Sequence, residues 1–300
     1  MKKQTLRTLH RSPDGVVPAY LSTDHILHHH NIANDEPLEL LNPIPAEDIT
    51  PSDFMVRDSI HRALEYQRAD LFLQPIVTLP QRRTLFYEVF GRLRVQPGVY
   101  LDAKDYLKLA TEDHILSELD TLLLSGVLKI IERQHRKMQN DVGYFINIRP
   151  FTLRNSVFMN NLLPLLSKHR AVAQTLIFEM HFSDFLTLSP AEQKILNGLH
   201  TIGCRFSVDN IHHLPSDIKY LNRRGVNFVK LDAKMIRSEG RGEVGFSNIL
   251  THKHNLEVNG IDIIAEKIES QDALLDILDY DIKYGQGYLF GKPDFQGVYT

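Results

Sequence analysis

Eight short stretches rich in β-branched and aromatic residues constrain this chain more than any other feature. In order they are LFLQPIVTL (71–79), TLFYEVFGRL (84–93), GYFINI (143–148), LIFEMHF (176–182), RFSVDN (205–210), FVKLDAK (228–234), IDIIAEKI (261–268) and IKYGQGYLF (282–290). Each has the length of a strand rather than a helix, and eight strands close a barrel. The stretches between them, such as SELDTLLLSGVLKIIERQHRKM, FTLRNSVFMNNLLPLLSKH, SPAEQKILNGLHTI and SQDALLDILDY, read as helices long enough for right-handed crossovers between parallel strands. In SPAEQ, Ser189 is placed to cap a helix that begins at Pro190. The first connection differs: only Pro80, Gln81, Arg82 and Arg83 precede Thr84, which is hairpin length and predicts an antiparallel pair. The expected fold class is α/β, a TIM-like (β/α)8 barrel with an antiparallel first strand pair.

The 300 residues would suggest roughly two domains by length, but such a barrel uses about 250 as one. Residues 1–53 carry prolines, scattered charges and no sustained period, and read as an extended or partly disordered leader. From Ser52 the texture changes: SDFMVRDSIHRALEY has a capped start and an apolar face at helical spacing. The expected division is therefore a leader over 1–53 and a barrel domain over 54–300. Within the leader, His28, His29 and His30 read as a solvated cluster, because no acid or cysteine of ligand type stands at a fixed spacing nearby.

A formal charge of -3, with 43% hydrophobic and 24% charged residues, fits a globular chain and gives no electrostatic case for nucleic-acid binding. The basic amino terminus lacks the apolar run of a secretory signal. The longest apolar stretches fall short of the ~20 residues that cross a bilayer. The expectation is a cytoplasmic protein without direct membrane insertion. The single cysteine, Cys204, excludes an intramolecular disulfide and reads as a small core residue at a strand start.

In a parallel barrel, polar residues at the carboxyl ends of strands point into the functional face. Gln74, Glu88, Asn147, Glu179, Asp209, Lys230, Glu266 and Gln286 each lie inside or just after an otherwise apolar stretch. One buried acid alone is usually an ion pair; eight polar positions in matching places form a pattern. Glu88, Asn147, Glu179 and Asp209 make an all-oxygen set, which suits Mg²⁺, Mn²⁺ or Ca²⁺ rather than zinc. Lys230, between apolar neighbours in FVKLD, is suited to act as a base, to orient water or to pair with the carboxylates. Arg92, read as two residues past the strand end, suits a phosphate or a solvated loop.

These residues carry a resemblance. The chain from about 60 to 293 resembles the EAL domain family, bacterial barrel domains that bind cyclic di-GMP and, when intact, hydrolyse it to the linear dinucleotide with two divalent metals. The family's Q-P-I appears as Gln74-Pro75-Ile76, and E-A-L-x-R as Glu88-Val89-Phe90-Gly91-Arg92. N-x-S appears as Asn147-Ile148-Arg149, E-x-T-E as Glu179-Met180-His181-Phe182, and K-I-D as Lys230-Leu231-Asp232. A-E-G-V-E appears as Ala265-Glu266-Lys267-Ile268-Glu269, and QGYLFGKP matches the terminal Q-G-Y motif most specifically. The resemblance implies nucleotide contacts at Gln74, Glu88, Arg92, Asp232 and Gln286, and metal ligands at Glu88, Asn147, Glu179 and Asp209. It implies catalytic roles, where the site is active, for Lys230, Glu266 and Glu269.

The departures gather at one place. The family's D-D-F-G-T-G-Y-S-S stands here as Asp209-Asn210-Ile211-His212-His213-Leu214-Pro215-Ser216-Asp217. Asn210 offers a neutral carbonyl where a second divalent ion would take an anion, so at most one well-held ion is expected. The loop glycines are missing, Pro215 restricts φ, and Phe182 replaces a glutamate that steadies the loop in the family. His212 and His213 read as solvated or capping rather than replacement ligands. The favoured reading is a cyclic di-GMP-binding regulatory protein with a degenerate site that signals to an unidentified protein partner. A weakly active phosphodiesterase and a nucleotide-independent scaffold are the alternatives. Homodimerisation stays open.

Overall fold

The computed structural model describes residues 52–96, 98–110, 113–136, 142–211, 218–239 and 249–299. The leader up to residue 51, with His28, His29 and His30, lies outside them, as do His212, His213 and Pro215.

The described chain opens with α1 (Asp53–Glu65), β1 (Ala69–Thr78), β2 (Thr84–Gln96), β3 (Val99–Leu101), α2 (Ala103–Tyr106) and α3 (Asp113–Arg136). It continues with β4 (Gly143–Asn147), α4 (Pro150–Arg154), α5 (Ser156–Lys168), α6 (Arg170–Ala173), β5 (Leu176–His181), α7 (Phe182–Leu186), α8 (Pro190–Ile202) and β6 (Arg205–Asp209). The remainder is α9 (Lys219–Arg223), β7 (Val226–Asp232), α10 (Ala233–Glu239), α11 (Ile249–Val258), β8 (Asp262–Glu266), α12 (Gln271–Leu278), β9 (Tyr284–Gln286) and β10 (Asp294–Tyr299).

All eight strands expected from sequence form and close a barrel in the order β1-β2-β4-β5-β6-β7-β8-β9, with β9 returning to β1. The expected hairpin is present, with Gln74 opposite Glu88, and β1 is also antiparallel to β9, with Ile76 opposite Gln286. From β2 round to β9 the neighbours are parallel. Two strands were not expected: β3 pairs with the far end of β2, and β10 covers the first half of β1. The β3 signal is only three residues long, and β10 has an interior glycine, Gly297, which weakens a strand pattern.

Alternation along the barrel strands builds two of the three hydrophobic cores among the described residues, the third lying between α1, α3 and the β2–β3 end of the sheet. One set of side chains, Ile76, Phe86, Phe145, Ile177, Phe228 and Ile264, fills the barrel interior. Its rings meet at centroid separations of 5.5 Å for Phe86–Phe145 and 5.3 Å for Phe145–Phe228. Arg205 lies over the rings of Phe86 and Phe228 at 5.2 and 5.4 Å. The opposite set, including Leu71, Leu73, Val89, Ile146, Phe178, Val208, Leu231 and Ala265, belongs to the larger core under the helices. On α3 the stripe Leu124, Val127, Leu128 and Ile131 has the i, i+3, i+4, i+7 spacing that keeps one helical face on that core.

Local chemistry places the helix ends. Ser52 accepts from the Met55 N–H to start α1. Ser189 and Glu192 form a capping box on α8, with Pro190 in its first turn. The segment after β4, expected as one helix, breaks at Asn155, whose side chain accepts from the Phe158 N–H and restarts the chain as α5. Cys204 is buried, as expected. Among the described residues no helix is long and apolar enough to cross a membrane.

Candidate functional site

Strand parity explains why the polar residues gather. Two residues beyond Phe86, Phe145, Ile177, Phe228, Ile264 and Tyr284 come Glu88, Asn147, Glu179, Lys230, Glu266 and Gln286. A two-residue step returns to the same face of a strand, so each polar group lies one layer above the apolar interior, toward the strand carboxyl ends. On β1 the polar residue comes two positions before its partner, Gln74 before Ile76, because that strand alone among the eight of the barrel runs the other way.

At the centre is Lys230, 1% exposed, whose Nζ donates to Glu88 Oε2 at 2.7 Å and to Glu179 Oε1 at 2.9 Å. Gln286 Nε2 also donates to Glu88 Oε2, at 2.6 Å, and to Gln74 Oε1 at 3.0 Å. Gln74 in turn donates to the Gly291 carbonyl at 3.1 Å. Five of the expected residues from five strands thus form one hydrogen-bonded network.

The electrostatics follow from one ammonium facing two carboxylates. Burial pushes the Glu179 carboxyl up, to about 8, with the Glu88 and Asp209 charges adding against the pull of Lys230. For Lys230, burial works against the charge, but Glu179, Glu88 and Glu266 outweigh it and raise its affinity for the proton. An ammonium held in this way suits orientation of the carboxylates better than proton abstraction. Burial also raises Asp209, opposed by His181 and Lys230.

Two side chains that carried no expected role enter the site. His181 stands directly across from Asp209 on the neighbouring strand, and its Nδ1 lies 3.2 Å from Asp209 Oδ1. That contact has ion-pair distance without hydrogen-bond geometry, so Asp209 Oδ1 remains a buried oxygen with no hydrogen-bond donor. Lys267 follows Glu266 with φ 60, and its Nζ reaches Asp232 Oδ2 at 3.1 Å and Glu266 Oε1 at 3.3 Å. Asp232 and Glu266 face each other on β7 and β8. The signal for both residues was in the sequence as departures from the family motifs, a histidine for a threonine and a lysine for a glycine. A lysine read alone in a loop gave no hint of two carboxylate partners.

Other expected residues are placed differently. Arg92 is not beyond the strand end: β2 continues to Gln96, and Arg92 lies within it opposite Asp70. Its Nε contacts Asp102 Oδ1 at 2.8 Å and its guanidinium covers the Phe72 ring at 4.2 Å. Asn147 is exposed at the end of β4, beside Glu179 in the register. Glu269 is exposed in the loop after β8, and among the described residues no hydrogen bond or ion pair ties it to the network. Asn210 is exposed with φ 51, a left-handed turn that asparagine tolerates, and the turn sends Ile211 into the core. Phe182 packs against the same core, which accounts for an apolar residue there.

The terminal motif has a backbone reason. At Gly287, φ 158, an added Cβ would run into the Ile268 backbone. Ile268 N–H donates to the Gln286 carbonyl at 3.0 Å and its carbonyl accepts from Leu289 N–H at 3.1 Å. The close approach holds Gln286 against the loop that carries Glu266 and Lys267.

Glu179 Oε2 and Asp209 Oδ1 are buried oxygens without hydrogen-bond donors, which fits one oxygen-loving cation between β5 and β6. Among the described residues no three His, Cys, Asp or Glu side chains already converge as a cage, because Lys230 and Lys267 draw the other carboxylates to themselves.

Comparison with known proteins shows the family and the fold. The EAL domain model matches residues 57–293. Cyclic di-GMP phosphodiesterase PdeF of Escherichia coli is 25% identical over 78% of this chain and 31% of its own length. Cyclic di-GMP phosphodiesterase PdeA of Borreliella burgdorferi is 24% identical over 84% of the chain and 37% of its own length. The chain therefore spans about a third of these curated relatives. The FimX EAL domain of Xanthomonas citri, solved in complex with c-diGMP, superposes with a TM-score of 0.68 at 16% identity, covering 79% of this chain and 92% of that one.

Proposed function

The chain belongs to the EAL domain family, and from that premise we propose that it is a cyclic di-GMP-binding regulatory protein whose phosphodiesterase site is degenerate and which passes the signal to a protein partner. The observation that carries this reading is the network itself. Gln74, Glu88, Glu179, Lys230 and Gln286 are held in one hydrogen-bonded set, while the turn after Asp209 has Asn210 in place of an acid.

On this reading, Gln74, Glu88, Arg92, Asp232 and Gln286 surround the nucleotide. Glu179 and Asp209, with Glu88 and Asn147, would hold a divalent ion such as Mg²⁺ or Mn²⁺, with Ca²⁺ an alternative. Such an ion supplies Lewis-acid polarisation of a phosphodiester oxygen when bound. Lys230 keeps the Glu88 and Glu179 oxygens side by side and offsets part of their charge, which lowers the repulsion of an anionic ligand while weakening their hold on a cation. The proposed division of the chain is a leader over 1–53 and a barrel domain over 54–300.

The test is titration calorimetry with cyclic di-GMP and Mg²⁺ or Ca²⁺, followed by chromatography of the mixture. Micromolar or tighter binding with no linear product is the expected result, with Arg92→Ala weakening it about tenfold, on the order of one charge-assisted contact. Multiple turnovers to linear product would replace this reading with a phosphodiesterase. Absence of any heat would leave a barrel kept for its surface.

A further inference from the structure

The positive charge at the strand ends is divided unevenly. Glu88 and Glu179 share Lys230 in direct contact, Asp209 has the misaligned His181 and the more distant charge of Lys230, and Asp232 with Glu266 shares Lys267. Lys267 is no ordinary loop lysine: its backbone is left-handed, φ 60, a conformation that costs an L-residue energy and that glycine adopts freely. From there its ammonium lies between two carboxylates that the β7–β8 register sets opposite each other. Among the described residues the buried carboxylate oxygens left without hydrogen-bond donors, Glu179 Oε2 and Asp209 Oδ1, are both at the other end of the site; the third unpartnered oxygen of the network, Gln286 Oε1, is a neutral amide.

We propose that Lys267 is a built-in cation that occupies the Asp232–Glu266 end of the site and discriminates against a second divalent ion there, leaving the Glu179–Asp209 end for a single ion. The inference rests on the reading of the strand ends as a cation site and adds a residue that determines its stoichiometry. The size of the effect follows from Coulomb's law. A unit charge about 4 Å from a divalent ion in water weakens that ion's binding by roughly thirtyfold, and more where solvent is partly excluded. Lys267 is 59% exposed on its side chain, so the watery value applies.

Equilibrium dialysis of Mn²⁺ against the full chain, without nucleotide, reads the count directly. Lys267→Gly relieves the left-handed backbone while removing the charge, and Lys267→Asn removes the charge with a side chain that tolerates the same φ. The wild-type protein is expected to bind about one ion, with a second at least roughly thirtyfold weaker than in either variant. A second ion bound equally well by wild type and variants, a change under about threefold, or no bound Mn²⁺ in any of the three proteins overturns the proposal. A parallel titration with cyclic di-GMP separates this from the parent reading: the expected ion counts with no nucleotide binding would sink the regulatory function alone.

Discussion

Replacing Lys230 with methionine tests the centre of the site, because the substitution keeps much of the side-chain volume and removes only the cation. In the native protein Nζ lies 2.7 Å from Glu88 Oε2 and 2.9 Å from Glu179 Oε1, with all but 1% of the residue out of solvent. Without the ammonium, two carboxylates face each other in a buried site. Breaking a buried pair by removing one partner costs about 3–5 kcal/mol, since the surviving charge loses its compensation. For a domain of this size each kcal/mol moves the melting temperature by roughly 2–4 °C, so Lys230→Met should melt about 6–20 °C below the wild type.

A second arm identifies the cause. The double variant Lys230→Met with Glu179→Gln puts a neutral amide where Glu179 would ionise beside Glu88 and should recover at least about half of the loss at alkaline pH, where that second charge forms, as expected for directly coupled residues. The pH dependence has a defined sign. Glu179 binds its proton more tightly in the fold, at about 8, than at its ordinary 4.5, so the native state holds a proton the unfolded chain has lost, and stability falls as pH rises through that window. Losing Lys230 raises the Glu179 value further and carries the decline to higher pH. The gap between variant and wild type should therefore be wider at about pH 9 than at about pH 6. Thermal and urea denaturation measure both. A loss under about 1 kcal/mol, or one indifferent to pH and to Glu179→Gln, would refute the claim that Lys230 neutralises the buried pair.

Gly287→Ala would force a methyl into the Ile268 backbone, so it should destabilise by about 1–3 kcal/mol or more and disturb the loop bearing Lys267, measured by denaturation. The Glu192 carboxyl is pushed up by burial but pulled below its ordinary value by the Ser189 cap and Arg154. Its contribution is thus present above the ordinary carboxylate range and lost as pH falls through the lowered native value. Glu192→Ala should cost about 1–2 kcal/mol at neutral pH, narrowing on acidification. Burial pushes the Cys204 thiol up to about 12, so a thiol reagent at mildly alkaline pH should modify it no faster than the protein unfolds; prompt labelling of native protein would contradict its place in the core.

Much of the barrel was legible along the chain because strand and helix periods are local properties. The eight apolar stretches, the four-residue connection at Pro80–Arg83 and the Ser189–Glu192 cap each depend on neighbours a few residues away, and each formed as read. The network residues were legible for the same reason: a polar group two steps from a buried aromatic must share its face. What tertiary structure alone decided is which charges meet. Lys230 and Glu88 are 142 positions apart, Gln286 and Gln74 are 212 apart, and only closure of the barrel sets them within hydrogen-bond distance. Arg92 looked like a loop residue because β3, too short to announce itself, was what extended β2 past it. Lys267 and His181 were visible only as mismatched letters until the parallel register put Asp232 and Asp209 beside them. Periodicity fixes the direction of a side chain, but distance between charges from separate strands is a property of the closed sheet, and Coulomb energy depends on distance.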